Sequence, residues 1–218
     1  MKPDKIFPIH MKYIDLTHSF TPDMPAYPGD PKASLTQAAS IDNEGYSDHL
    51  LHTLMHVGTH MDAPLHMIRG GKHMDEIPLS SFFGVGLLID ARGKKLIDAS
   101  ILEGVHIPEG AIVLVFTGFG DRYRTPEYFE DYPQIDESFA KRLVEAKVKI
   151  VGMDIVGPDQ PPFPTHKELL GNNVLIIENL TNLESLIGMK HFDVMAIPAK
   201  FHTDATPVRV IATLTENI

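Results

Sequence analysis

The chain has 218 residues, a formal net charge of -10 at pH 7 and 43% hydrophobic residues, so it is long enough to bury one core. The negative charge argues against a nucleic acid or an anionic membrane as a partner, because both bind basic surfaces. No apolar run reaches the ~18 residues of a membrane span, and no N-terminal stretch has the zones of a signal peptide, so we expect a cytoplasmic location.

Histidine is abundant and cysteine is missing: the sequence has twelve histidines and no cysteine. Without cysteine the chain has neither disulfides nor thiolate ligands. Any bound metal must therefore be held by nitrogen and oxygen atoms.

The N-terminal part is rich in proline. We predict that residues 1–12 are a weakly structured leader, that residues 13–218 form a single domain, and that its first strand covers residues 13–16. Four prolines then follow within residues 21–31 and predict a stiff, irregular loop. This loop is interpreted either as a surface connection or as a pocket wall, in which Tyr27 offers an aromatic face to a substrate.

Two strand-like segments come next. Residues 33–38 and 47–55 alternate as strands do, and the turn-forming residues between them predict a hairpin. The second of these segments leads directly into residues 56–66.

Residues 56–66 concentrate the polar chemistry of the chain. Their candidate metal ligands are His56, His60, Asp62 and His66. A Gly-Thr pair and an Ala-Pro pair interrupt the block, so we expect no continuous helix but a bend at Gly58 that turns several side chains into one pocket. A single histidine is more often a hydrogen-bonded core residue. Four clustered candidates favour a metal site instead, and imidazole with carboxylate suits zinc or manganese.

The rest of the chain contains more strands than helices. Strands are predicted at residues 85–90, 111–117, 149–154, 174–177, 193–197 and 208–214. Helices are predicted at residues 136–146, 166–170 and 180–187. Residues 121–133 are predicted to be a loop, in which Tyr123 is interpreted as a surface group. Many short strands with few helices indicate an α+β or β/β/α domain.

Two further polar residues stand beside predicted elements. Glu178 directly follows an apolar strand, and a carboxylate in such a place must be paired, hydrogen-bonded or metal-bound. His166 begins a predicted helix. From the residues alone, each is either a structural group or a ligand, because local periodicity does not relate them to residues 56–66.

The chain also resembles a known family. Residues 56–66 match every fixed position of the signature His-x-Gly-Thr-His-x-Asp-x-Pro-x-His of the metal-dependent cyclase-like hydrolases, which include the bacterial kynurenine formamidases and the isatin hydrolases. Glu178, Asn179 and Leu180 match a Glu-Asn-Leu turn of the formamidase-like members. The resemblance covers nearly the whole chain from Tyr13 onward and implies a swivelling β/β/α fold in a homodimer or homotetramer.

The resemblance also implies residue roles. The metal ligands would be His56, His60, Asp62, His166 and Glu178. Asp62 would bridge two ions in each subunit, with zinc expected and manganese as the alternative. His66 would be the catalytic acid/base instead of a tight ligand, exchanging protons with a water whose pKa the metal lowers to about 7.

The implied reaction is hydrolysis of an aryl formamide, N-formylkynurenine to kynurenine and formate. The formamidases have a tryptophan before Pro-Gly-Asp where this chain has Tyr27, which leaves the metal chemistry intact and the substrate open. One alternative is hydrolysis of a cyclic amide or lactone, as in the isatin hydrolases, and another is metal binding without catalysis. A serine hydrolase is disfavoured, because the chain has no Gly-x-Ser-x-Gly motif.

Overall fold

The computed structural model describes residues 10–216. The strands are β1 (His10–Asp15), β2 (Ser34–Ala39), β3 (Asp48–His52), β4 (His60–Asp62), β5 (Phe83–Asp90), β6 (Leu96–Ile97), β7 (Ile112–Phe116), β8 (Gln134–Ile135), β9 (Ile150–Met153), β10 (Leu175–Glu178), β11 (Asp193–Pro198) and β12 (Ala205–Glu216). The α-helices are α1 (Ile41–Glu44), α2 (Glu137–Glu145) and α3 (Pro164–Gly171). Short 3-10 turns connect many of these elements.

The main sheet has eight strands in the order β1-β12-β11-β5-β7-β9-β10-β4. Its central strands β5, β7, β9 and β10 run parallel, and its other pairs are antiparallel. Strand β4 also pairs with β12, which closes the sheet into a barrel-like form. The molecule is therefore a mixed α and β protein with a strand-rich, barrel-like sheet and few helices.

The core lies on both faces of the parallel strands. Along β7, Ile112 and Leu114 belong to one buried cluster, and Val113 and Val115 belong to another. All five residues of β7 are buried, which explains why this strand reads as a continuous apolar run. Helix α2 covers the second cluster with Phe139 and its neighbours.

The predicted strands are confirmed within a few residues, and so are the first two predicted helices. Strand β1 begins at His10 instead of residue 13, so it includes the end of the predicted leader; residues 1–9 lie outside the described residues. The helix predicted at residues 180–187 is wrong. Only the 3-10 turn Leu183–Leu186 forms there, because Asn182 at its start has a left-handed backbone with φ of 58°.

The predicted hairpin is also confirmed, as a two-stranded sheet of β2 and β3 outside the main sheet. We call residues 34–52 the β2–β3 arm. Ser40 caps the one-turn helix α1 between the strands by accepting a hydrogen bond from the Asn43 backbone N–H. All of β3 is exposed. Across residues 10–216, no helix has the length and apolar character needed to cross a bilayer.

Candidate metal and active site

The block at residues 56–66 folds as a bend followed by a short buried strand. Gly58 has φ of +77°, in the left-handed region that favours glycine, so the predicted bend is confirmed. Strand β4 follows at once and lies between β10 and β12, where His60 is opposite Glu178 on one side and Pro207 on the other. The pairing of β4 thus brings the block beside two distant segments of the chain.

The predicted ligands lie together at this point. Asp62 Oδ1 is 3.1 Å from His56 Nδ1 and 3.5 Å from His60 Nε2. Glu178 connects the two halves of the cluster, with Oε2 3.3 Å from His60 Nε2 and Oε1 3.3 Å from His166 Nε2. The structure therefore brings all five predicted ligands into one cluster.

His66 lies beside the same cluster. Its ring centre is 4.2 Å from that of His56 and 5.9 Å from that of His166. Among the described residues, three sets have ligand atoms within 4.8 Å of one another: His56 with His60 and Asp62, Asp62 with His66 and His166, and His56 with His66 and Asp204. His56, Asp62 and His66 each belong to two of these sets.

Buried donor and acceptor atoms without a hydrogen bond of good geometry indicate that a cation fits here. Within the described part of the chain, these atoms are both carboxylate oxygens of Asp62 and Nε2 of His60, although Asp62 lies 3.1 Å from His56 and His60 lies 3.3 Å from Glu178. A buried carboxylate without a partner is costly unless it is paired or binds a metal. The nitrogen and oxygen donors suit zinc or manganese, so the residues present fit a divalent metal.

The far side of two imidazoles is fixed by hydrogen bonds. His60 Nδ1 lies 2.9 Å from the Gly58 carbonyl oxygen, to which it can donate. His166 Nδ1 makes a short hydrogen bond with Asp159. In both rings this leaves Nε2 directed at the cluster, which is the usual arrangement behind a metal-binding histidine. Asp159 was not predicted, although its position seven residues before a candidate ligand is a weak signal.

Asp204 is a second acidic residue that sequence reasoning missed. Its Oδ2 lies 3.0 Å from His56 Nε2 and 3.5 Å from His66 Nδ1. It comes just before β12 and is separated from His56 by 148 positions. No local pattern marks it, because only the pairing of β12 with β4 brings it to the site.

The acidic groups dominate the electrostatics of the cluster. Burial disfavours protonation of His56, but its contacts with Asp204 and Asp62 outweigh burial and raise the pKa of His56 to about 10. Burial also disfavours protonation of His166, but its contacts with Asp159 and Glu178 outweigh burial and raise the pKa of His166 to about 9. The excess negative charge that retains protons on these rings would also attract a divalent cation. Burial lowers the pKa of His66, despite nearby Asp62.

A cavity of about 420 Å³ opens above the cluster. Its lining includes the candidate site residues His56, His66, His166 and Glu178. Its aromatic wall consists of Tyr27, Tyr123, Phe129, Tyr132 and Phe163. Tyr27 therefore lines the cavity, as the pocket-wall interpretation requires, and its ring meets that of Phe129 edge-on at 6.0 Å. None of the described residues that line the cavity is lysine or arginine.

The interpretation of Tyr123 as a surface group is wrong. Its side chain is 3% exposed and lines the cavity. Its ring stacks on His18 with centres 3.9 Å apart and planes 12° apart. The charged neighbours Arg122 and Arg124 made the segment look exposed, whereas the long-range contact with His18 buries the tyrosine between them.

Comparisons with known proteins place the chain among relatives of known family. The family model described as "Putative cyclase" matches residues 14–160. The kynurenine formamidase of Salinibacter ruber is 29% identical over 211 residues, which cover 92% of this chain and 97% of that protein.

Two solved structures share the fold. The isatin hydrolase A of Labrenzia aggregata, bound to benzyl benzoate, superposes with a TM-score of 0.85 and 27% identity, covering 94% of each chain. A potential metal-dependent hydrolase with cyclase activity superposes with a TM-score of 0.80 and 29% identity, covering 95% of this chain and 100% of that one. These likenesses, with the buried ligand cluster, support a metal-dependent hydrolase.

Proposed function

Since the chain belongs to the cyclase family, we propose that it is a metal-dependent amidohydrolase that cleaves an aryl formamide, N-formylkynurenine being converted to kynurenine and formate. The observation that supports this most is the buried Asp62 carboxylate, which lies among imidazoles beneath an aromatic-lined cavity without a hydrogen bond of good geometry. The similarity to a kynurenine formamidase supports the choice of substrate.

The metal proposed is zinc, two ions per subunit, with manganese as the alternative. The residues that would hold the ions are His56, His60, Asp62, His166 and Glu178. Asp62 belongs to two of the three-residue sets, and Glu178 contacts both His60 and His166, which supports two ions over one. When bound, such a cation lowers the pKa of a water to about 7 and polarises a carbonyl oxygen.

His66 would transfer the proton. Asp204 Oδ2 is 3.5 Å from His66 Nδ1 and would keep a proton on that atom, so Nε2 is the atom that exchanges protons. His66 would take a proton from the attacking water and give it to the departing nitrogen. Water then adds across the amide, the bond between the formyl carbon and nitrogen breaks, and formate and the aryl amine leave.

The aromatic wall would hold the aryl group. Tyr27 and Phe129 meet edge-on at the cavity, and a substrate ring can pack against such a pair. Tyr27 has less contact area than tryptophan, so we expect weaker selection for one particular aryl group.

Hydrolysis of a cyclic amide or lactone is the second candidate function. Among residues 10–216, no lysine or arginine lines the cavity to pair with a carboxylate, which favours an uncharged ring. Similarity to an isatin hydrolase supports this alternative.

Metal analysis of the purified protein, combined with two assays, tests these proposals. We expect stoichiometric zinc or manganese, formate release from N-formylkynurenine, and loss of this activity on chelation with recovery on adding metal. Ring opening of isatin without formamide hydrolysis would favour the second candidate. If the protein binds metal tightly but hydrolyses neither compound, it is a metal-binding protein without catalysis. This result would contradict both candidate functions.

A further inference from the structure

Tyr123 has a buried hydroxyl that the fold itself does not use. The side chain is 3% exposed, and within the described part of the chain its hydroxyl oxygen has no hydrogen-bond partner. The residue lines the same cavity as His66 and Glu178. A buried hydroxyl left without a partner costs about 1–3 kcal/mol, so its retention requires an explanation.

The ring of Tyr123 is held firmly in place. It stacks on His18 at 3.9 Å, and Tyr128 meets it edge-on at 5.2 Å. The guanidinium carbon of Arg124 lies 5.9 Å from the ring centre. The Tyr123 backbone N–H donates to the Gly120 carbonyl oxygen at 3.0 Å. The ring is therefore held rigidly beside the cavity, and its hydroxyl oxygen is buried there.

Two neighbouring tyrosines differ from Tyr123 because their hydroxyls have hydrogen-bond partners. The Tyr128 hydroxyl donates to Asn179 Oδ1 at 2.7 Å, and the Tyr132 hydroxyl donates to the Asp159 carbonyl oxygen at 3.3 Å. Both of these hydroxyls therefore bond to the protein itself and hold the aromatic wall of the cavity in place. Within the described residues the Tyr123 hydroxyl has no such partner, and burial raises the pKa of Tyr123, so the hydroxyl remains a donor.

We propose that Tyr123 is a substrate-binding residue whose hydroxyl donates a hydrogen bond to an uncharged acceptor, a carbonyl oxygen, on an aromatic substrate. The acceptor is uncharged because no lysine or arginine of the described part of the chain lines the cavity to assist a carboxylate. The inference rests on the proposed function, since it assumes that an aryl amide or a related carbonyl compound enters this cavity.

The substitution Tyr123→Phe removes only the hydroxyl. Losing one hydrogen bond to the substrate should raise KM for N-formylkynurenine or isatin by about 10-fold, with kcat changed by less than about 3-fold. The melting temperature should be unchanged or higher, because the free protein loses an unpaired polar group. An unchanged KM would overturn the proposal, as would a fall in kcat alone.

Two other tyrosines provide controls. Tyr13→Phe, at an exposed position on β1, should leave KM and stability as in the wild type. Tyr128→Phe should lower the melting temperature, because it removes a buried hydrogen bond. A stability loss in Tyr123→Phe resembling that of Tyr128→Phe would mean a structural role and overturn the proposal.

Calorimetric titration distinguishes failure of the Tyr123 proposal from failure of the proposed function. Metal-loaded wild type and Tyr123→Phe are titrated with kynurenine and with isatin, and the variant should bind about 10-fold more weakly. If the wild type binds without hydrolysing either substrate and the variant binds more weakly, the proposed function fails and the role of Tyr123 stands. Equal affinity in both proteins, or binding by neither, would overturn the role of Tyr123.

Discussion

Single residues behind the candidate ligands determine which nitrogen of each imidazole would face a bound metal. Asp159 occupies Nδ1 of His166, and the Gly58 carbonyl occupies Nδ1 of His60, so each ring presents Nε2. Asp204 contacts Nε2 of His56 instead, which leaves Nδ1 of that ring beside Asp62. Each carboxylate or carbonyl thus selects a tautomer, and this selection is part of ligand geometry.

The role of His66 gives a prediction at this scale. We expect His66→Ala to lower kcat by about 10²–10⁴-fold, because it removes the proton-transfer group, while bound metal stays nearly unchanged. The measurements are steady-state kinetics and metal content by mass spectrometry. His60→Gln is the matched control and should lose metal together with activity. Because His66 belongs to two of the three-residue sets, metal loss in His66→Ala would identify it as a ligand instead.

At the scale of elements, one asparagine joins the end of β10 to the block at residues 56–66. Asn179 has a left-handed backbone with φ of 58°. Its amide nitrogen Nδ2 donates to the Gly58 carbonyl oxygen at 3.0 Å, and its own carbonyl accepts from the Thr59 hydroxyl at 2.6 Å. These bonds hold the bend of the block against the strand that supplies Glu178.

Asp154 similarly joins the ends of the parallel strands β7 and β9. Its Oδ1 accepts from the Thr117 backbone N–H at 2.8 Å and from the Thr117 hydroxyl at 2.7 Å, and its Oδ2 accepts from the Gly118 backbone N–H at 2.8 Å. The side chain is 3% exposed. This link fixes the start of the segment that leads to Tyr123.

Asp154→Asn tests this link. We expect the free energy of unfolding to fall by about 1–3 kcal/mol, because the new amide group cannot accept from both partners and leaves one buried N–H unpaired. Urea unfolding is the measurement. Asp90→Asn, at the end of the adjacent strand β5, is the control: its pair with Arg92 is exposed, so the change should stay within about 0.5 kcal/mol. Equal effects would contradict the assigned role of Asp154.

On the scale of the whole molecule, closure of the sheet assembles the site. Strand β4 pairs with both β10 and β12, so the block at residues 56–66 meets Glu178 on one side and the start of β12 on the other. Without these pairings, Glu178 and Asp204 would lie apart from the imidazoles of the block. The single domain over residues 13–218, the swivelling arrangement and the cytoplasmic location stay predictions.

The β2–β3 arm supports the predicted homodimer or homotetramer. Leu50 is 63% exposed and Leu51 is 47% exposed, on opposite faces of β3. An isolated two-stranded sheet is only marginally stable in water, so we propose that a second copy of the chain covers the arm.

The assembly prediction is tested by sedimentation. We expect the wild type to sediment as a dimer or tetramer at micromolar concentration, and the double variant Leu50→Glu with Leu51→Glu to shift toward the monomer. Leu79→Glu places one glutamate at another exposed leucine and serves as the control. A monomeric wild type would contradict the predicted assembly.

The sequence by itself determined the local features. Apolar runs located the buried strands, because each such strand is covered on both faces. Gly58 located the bend, and the spacing of His56, His60 and Asp62 indicated nitrogen and oxygen ligands for a metal. The helix predicted at residues 180–187 failed, because apolar spacing alone does not report a left-handed backbone at Asn182.

Only the tertiary structure decided which distant residues complete the site. Asp204 is separated from His56 by 148 positions and reaches it through the pairing of β12 with β4. Tyr123 is buried through its contact with His18 and not through its own charged neighbours. The physical reason is that periodicity reports contacts over a few residues, whereas closure of a barrel-like sheet depends on pairings along the entire chain.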